Sequence, residues 1–193
     1  MTPAPGFAVV DLETTGLSFR TDRILQMAVV LVEADGSISG RWSTYVRPER
    51  VLSADLGPTH IHGIRRRRLV IAPSESPALR RLASLTTDRV VVAHNARFDA
   101  SFLREAATRH RIELHWSGLL CTLELSRRLD TGRRLLHRLP DVCERYGVRI
   151  ERAHDALHDA LATARVLPGL LRDNGIDPAD EAGGRLLQSL SVS

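Results

Sequence analysis

The segment Phe7-Ala8-Val9-Val10-Asp11-Leu12-Glu13-Thr14-Thr15-Gly16 constrains the fold more than any other part of the chain. Its apolar opening reads as a buried strand. Side chains at i and i+2 of a strand share a face, so Asp11 and Glu13 project side by side from a segment built to be covered. Two like charges repel there, and an unpaired buried carboxylate costs on the order of several kcal/mol. Protons or cations must neutralise the pair, and a divalent metal is the simplest answer. The alternative is a strand end that has already reached solvent, with Asp and Thr leading into a glycine turn.

The chain has 193 residues and 43% hydrophobic content, enough for one globular domain with a substantial core. No apolar stretch approaches a membrane span, and Met1-Thr2-Pro3-Ala4-Pro5-Gly6 lacks a basic region followed by an apolar one, so a cytoplasmic location is expected. Cys121 and Cys143 are too few for a disulfide framework and lack a CxxC spacing; ordinary buried thiols are expected. The net charge of +4 and pI near 10.0 suit a polyanionic partner. All 27 basic residues are arginine. The absence of lysine excludes a Walker phosphate lysine and a Schiff-base lysine. The run Arg65-Arg66-Arg67-Arg68 is either a grip for phosphates or a solvated face.

Periodicity organises the rest. A strand at about residues 7–13 is followed by a loop and a second apolar run, Ile24 to Val32. Asp35-Gly36 separates that run from the alternating Ile38, Trp42 and Tyr45-Val46, which predicts an antiparallel hairpin closed by Pro48. After a Pro- and Arg-rich connection, Pro77–Leu85 reads as a helix and Arg89–Ala93 as a short buried strand. A helix over residues 96–109, a strand at Leu119–Cys121 leading into another helix, and a helix from Leu139 stopped by Gly147 come next. The last helix is expected from about Ala153 to Arg172, with Pro168 kinking or tightening its final turn. Hairpin strands followed by strands joined through helices give a mixed α/β sheet, antiparallel in one part and parallel in the other, flanked by helices. Ligands of such sheets bind beyond the carboxyl ends of strands, where Asp11 and Glu13 fall.

Two more acidic positions stand out. Asp99 lies in His94-Asn95-Ala96-Arg97-Phe98-Asp99, in the first turn of a helix, and shares its face with Phe102 and Leu103. It is either aimed at a site or complements the positive helix end. In His154-Asp155-Ala156-Leu157-His158-Asp159, Asp155 and Asp159 form a like-charge i,i+4 pair. Taken alone, either could act, or the face could simply be polar.

These segments together resemble the DEDDh, or DnaQ-like, 3′-5′ exonucleases, to which the exonuclease domain of the DNA polymerase III epsilon subunit belongs. Asp-x-Glu-Thr-Thr-Gly stands at Asp11 to Gly16, His-Asn-x-x-Phe-Asp at His94 to Asp99, and His-x-x-x-x-Asp at His154 to Asp159. The third motif fits only this assignment, since anchoring on Asp155 would need a histidine where Ile150 stands. Weaker likenesses are His62-Gly63-Ile64 and Leu139-Pro140-Asp141-Val142-Cys143. The resemblance spans about residues 7–172 as an exonuclease domain, leaving 173–193 as a short tail. One departure is Ile24-Leu25-Gln26-Met27-Ala28, where relatives often carry Ile-Ile-Glu-Ile-Gly.

The resemblance implies an RNase H-like fold in which Asp11, Glu13, Asp99 and Asp159 hold two Mg²⁺ or Mn²⁺ ions and His154 is the general base. Hard oxygen ligands suit these cations, and two metals roughly 3.5 to 4 Å apart can clamp an in-line phosphoryl displacement. His154 and Asp159 lie about 140° apart on an ideal helix, so His154 is expected on a flexible segment before it. Thr14, Gly16 and Leu17 would meet the 3′ end of the substrate, and His62, Asn95 and Phe98 would line the base and sugar pocket. Phe98 could equally be core, and His62 a loop residue satisfied by backbone. The implied partner is the 3′ end of single-stranded nucleic acid, DNA favoured. An enzyme trimming RNA ends or degrading short oligonucleotides is the alternative within the same chemistry, and a binding module without catalysis the alternative outside it. A polymerase or sliding clamp is a further candidate partner: Gln188-Ser189-Leu190-Ser191-Val192 faintly resembles a clamp peptide, although Asp173–Ser193 leaves little length for a polymerase-binding extension.

Overall fold

The computed structural model describes residues 6–178. Five strands form one sheet: β1 (Phe7–Thr14), β2 (Ile24–Val32), β3 (Ile38–Tyr45), β4 (Val90–Ala93) and β5 (Gly118–Cys121). Seven helices accompany them: α1 (Thr59–His62), α2 (Arg66–Val70), α3 (Glu75–Thr86), α4 (Ala96–His110), α5 (Thr122–Arg128), α6 (Leu139–Arg145) and α7 (Ala156–Asp173). The strand order is β3-β2-β1-β4-β5. The β1–β2 and β2–β3 pairs are antiparallel, while β1–β4 and β4–β5 are parallel. The Asp35-Gly36 hairpin is present, with Gly36 at φ 84°, a left-handed conformation that glycine adopts without strain.

Alternation along β1 divides the core in two. Ala8, Val10 and Leu12 pack with Leu79, Leu82, Phe102 and Leu103 of α3 and α4. Phe7 and Val9 pack on the other side with Val142, Leu167 and Leu170 of α6 and α7. Asp11 and Glu13 continue this second face, which places them under the start of α7. The register shifts between Glu13 and Thr14, so that Thr14 pairs with Ile24 and the ladder is irregular at the site.

Two local features differ from the sequence expectations, the start of the last helix and the Pro- and Arg-rich connection. The last helix begins at Ala156 and not Ala153, because His154 adopts a left-handed φ of 61° and Asp155 caps the helix by accepting the Leu157 N–H at 3.2 Å. The helix runs through Pro168 to Asp173, and the core continues as far as Ile176. The Pro- and Arg-rich connection holds α1 and α2, whose Leu56, Ile64 and Leu69 close over Leu25 as a small separate core. A Cβ on Gly57 would fall 1.8 Å from the Thr15 carbonyl oxygen, so only glycine lets the connection dock on the loop after β1. Cys121 and Cys143 are free and buried. Residues 188–192, with their clamp-like pattern, lie outside the described residues.

Candidate active site

Asp11 and Glu13 leave the carboxyl end of β1, Asp99 comes from the first turn of α4, and Asp159 from the first turn of α7. Asp99 is only 5% exposed. Burial, opposed in part by backbone N–H groups of Asp99 itself and of Leu12, pushes its carboxyl up to about 8. Asp11 is raised well above the usual carboxylate range, first by burial and then by the charges of Asp99, Asp159, Glu13 and Asp155. Glu13 rises to about 7 through burial and the charges of Asp159 and Asp155. Asp159 is raised by burial as well, although its carboxylate accepts the His154 backbone N–H at 2.9 Å.

Burial first, and like charges second, thus push all four carboxyls upward, and among the described residues no arginine is a cause of the shifts of Asp11, Glu13 or Asp99. That is the electrostatic signature of a site built for cations. Glu13, His154 and Asp159 each bring a ligand atom within 4.8 Å of the other two. The donors are carboxylate oxygens with one imidazole, a set that fits hard divalent ions.

The turn after β1 is tied by Asp22, whose carboxylate accepts the Ser18 N–H at 2.8 Å and the Thr15 hydroxyl at 3.1 Å. A Cβ on Gly16 would lie 2.5 Å from that carboxylate, so a larger residue here would displace the Asp22 side chain that ties the turn. Thr14 donates its hydroxyl to the Gly16 carbonyl at 2.6 Å, and Leu17 stands 86% exposed at the rim. Asn95 is exposed in the left-handed region at the head of α4. Phe98 is half-buried, its ring centroid 4.9 Å from that of Phe102, so it serves the core on one side. Both ring nitrogens of His62 are taken by backbone: Nδ1 accepts the Ile64 N–H at 3.0 Å, leaving Nε2 to donate to the Leu56 carbonyl at 3.0 Å. Only the face and edge of that ring remain for a ligand.

One cleft opens from the site and a second lies beside it. The larger, about 800 Å³, runs between α5 and α6 and includes Asn95, Leu136, Ile150, His154 and Asp159. Its wall is pinned by His94, which bonds the Thr122 hydroxyl at 3.0 Å and the His137 carbonyl at 2.9 Å. Ser126, His137 and Asp130 form a hydrogen-bonded line within that wall, 2.9 and 3.2 Å apart. Ser126 is buried and receives a hydrogen bond from Arg145 at 2.6 Å, so this line fastens a loop and presents no nucleophile. The smaller cleft, about 340 Å³, lies beside His62 and Asp155 and is rich in arginine.

Gln26 and Asp155 are connections that the motifs alone do not reveal. Gln26, 4% exposed and directly opposite Glu13 on β2, points its amide toward the head of α7. Its Nε2 lies 3.5 Å from the Asp155 carboxylate, and its Oε1 accepts the Ala156 N–H at 3.4 Å. Asp155 flanks the cluster and also contributes to it, since its charge helps raise Asp11, Glu13 and Asp159. The only sequence trace of this pairing is the glutamine where relatives often carry glutamate.

A mixed sheet of this order, flanked by helices and with acids at the end of its central strand, is the RNase H-like arrangement of nucleases. Residues 8–167 match the RNase_T family, described as Exonuclease, and the chain belongs to this DnaQ-like exonuclease family. It is 34% identical over 187 residues to the PolC-type DNA polymerase III of Bacillus subtilis (strain 168), covering 95% of this chain and 13% of that polymerase. With the PolC-type polymerase of Staphylococcus saprophyticus it shares 35% identity over 169 residues, 86% of this chain and 11% of the polymerase. The chain thus spans only 11–13% of the length of these relatives. Among solved structures, E. coli Exonuclease I in complex with a dT13 oligonucleotide superposes with a TM-score of 0.77 at 20% identity, over 89% of this chain and 42% of that one. Exonuclease X in complex with 5′ overhanging duplex DNA gives 0.71 at 23% identity, over 95% and 98%. At these identities the superpositions establish the fold.

Proposed function

We propose that this chain hydrolyses phosphodiester bonds one nucleotide at a time from the 3′ end of single-stranded nucleic acid, with DNA preferred, releasing nucleoside 5′-monophosphates. The observation that carries this reading is the convergence of Asp11, Glu13, Asp99 and Asp159, with no arginine among the described residues acting on the first three. Two Mg²⁺ or Mn²⁺ ions are the fitting counter-charge, and these four residues would hold them. When bound, such ions supply Lewis acidity at the phosphoryl oxygens and charge neutralisation in the transition state.

The remaining steps belong to the protein. His154 sits on an exposed turn within reach of Glu13 and Asp159, and its imidazole takes the proton of the attacking water. The water oxygen bonds to phosphorus as the bond to the 3′ oxygen of the preceding nucleotide breaks, and that oxygen takes a proton from solvent water. Thr14, Gly16 and the projecting Leu17 meet the terminal nucleotide, while Asn95, Phe98 and the ring face of His62 line its sugar and base. The PolC-type relatives support DNA as substrate, a polymerase as partner and a cytoplasmic setting.

Purified protein incubated with Mg²⁺ or Mn²⁺ and matched 5′-labelled single-stranded DNA and RNA tests the proposal directly. A ladder shortening from the 3′ end, abolished by EDTA and faster on DNA, is the expected result. Faster cleavage of RNA would turn the reading to an RNA-trimming enzyme, and cleavage of neither would leave a binding module.

A further inference from the structure

The four consecutive arginines divide by role. Arg66 turns inward and donates to the Val51 carbonyl and, at 2.9 Å, to the Ala54 carbonyl, so it holds the connection together. Arg65, Arg67 and Arg68 are exposed and line the smaller cleft with Arg152, His62 and Asp155. The side chains of Arg65 and Arg67 have no hydrogen-bond or ion-pair partner among the described residues. Arg68 is fixed in place by Tyr45, whose hydroxyl accepts its hydrogen bond and whose ring centroid lies 5.4 Å from the guanidinium carbon. Arg152 lies 3.6 Å from Asp155 at the border with the acid cluster.

Four guanidinium groups thus face one carboxylate across a cleft of about 340 Å³ that borders the acid cluster at Asp155 and is lined also by His62. A solvated surface run would spread its charges outward along a helix. Here α2 and the loop before α7, more than eighty positions apart in the chain, aim theirs into one hollow. Guanidinium is planar, always charged and weakly hydrated, which suits it to phosphate oxygens. We propose that the cleft of Arg65, Arg67, Arg68 and Arg152 is a phosphate subsite that grips nucleic-acid backbone outside the reacting nucleotide. The assignment rests on the nucleic-acid reading above and adds where affinity comes from: the acid cluster repels a polyanion, and the adjoining arginines offset that repulsion.

The test is equilibrium binding by fluorescence anisotropy in Ca²⁺ across a salt series, on a single-stranded oligonucleotide and on a duplex with a recessed 3′ end and a 5′ overhang. The double variant Arg65→Glu/Arg67→Glu should bind about tenfold or more weakly at 0.1 M salt. Its slope of log affinity against log salt should flatten by about 1.4 on the single strand, or about 1.8 on the duplex, if two phosphate contacts are lost. Arg80→Glu/Arg81→Glu, an equal change of net charge on exposed positions of α3, should stay near wild type. Loss in both arms places the grip on the strand being shortened; loss confined to the duplex places it on the complementary strand. Equal weakening by the two double variants, or unchanged slopes, would overturn the subsite. Binding that depends on the cleft in a protein that hydrolyses nothing would instead overturn the exonuclease reading and leave the subsite standing.

Discussion

The face of the sheet beneath α7 has two halves that obey the same alternation and opposite physics. At one end Phe7, Val9, Val30 and Val32 pack against Leu167, Leu170 and Leu171 of α7, all essentially buried. Each such side chain removed from water favours folding by roughly 1.5 to 3 kcal/mol. Two residues further along β1 the same face presents Asp11 and Glu13 to Asp155 and Asp159, and every carboxyl in the cluster whose shift is known is pushed upward. One half of α7 therefore holds the fold together while its other end opposes it. The difference teaches how a rigid site is made: acids that repel one another can be kept in place only if the same helix and strand are fastened elsewhere.

The sharpest way to break that comparison is to change one residue in each half. Asp11→Asn should lower hydrolysis by about 10³-fold or more, on the scale of about 4 kcal/mol of lost transition-state stabilisation, while raising the Tm of the metal-free protein above neutrality because a like charge is gone. Leu170→Ala should do the reverse: a loss of about 2 to 5 kcal/mol in stability with kcat of the folded fraction close to wild type. Thermal melts and steady-state kinetics on the two variants check both expectations. A destabilised Asp11→Asn protein would show that the cluster is not strained.

Next in size is a dependence of stability on pH. Asp99 and Glu13 bind protons more tightly in the folded than in the unfolded chain, with folded values of about 8 and about 7 against ordinary values of 3.8 and 4.5. Raised values mean that the contribution of these groups to stability is fully present below about pH 4 and lost as pH rises through about 7 to 8. Metal-free protein in EDTA should accordingly lose Tm between about pH 5 and about pH 8. Mg²⁺ or Mn²⁺ should restore it, and by more at the upper end, because ions take over from protons as counter-charge. A metal-induced Tm shift that is equal at the two ends, or larger at the acid end, would contradict the raised carboxyls.

Legibility in the sequence followed the same division. β1, the Asp35-Gly36 hairpin, α4 and α7 could be read because alternation, turn chemistry and helical spacing are local properties. The acids and His154 were legible from three ordered motifs, although helical periodicity in Ala153 to Ala156 overran the true start of α7, where the backbone of His154 turns left-handed. The short helices α1 and α2 were not legible. Four- and five-residue helices carry too little periodicity, and what stabilises them is distant: Arg66 on two carbonyls, Gly57 against Thr15, and Leu25 beneath Leu56, Ile64 and Leu69. The contact of Gln26 with Asp155, 129 positions away, needs the sheet and α7 in place before it means anything.

That contact gives the smallest expected effect and the most specific one. Gln26→Glu keeps the oxygen that accepts the Ala156 N–H but replaces the donor facing Asp155 with a further carboxylate, directly across from Glu13. Loss of about 1 to 2 kcal/mol of metal-free stability is expected near pH 8. Adding Asp155→Asn, which removes the opposing charge, should recover most of it, so that the pair shows a coupling energy of about 1 kcal/mol in a double-mutant cycle. Additive losses would mean that Gln26 only fills space. A recovered pair would mean that the glutamine is matched to Asp155: it lets the acidic head of α7 sit close to β2 and so holds Asp159, one turn further on, against the carboxylates of β1.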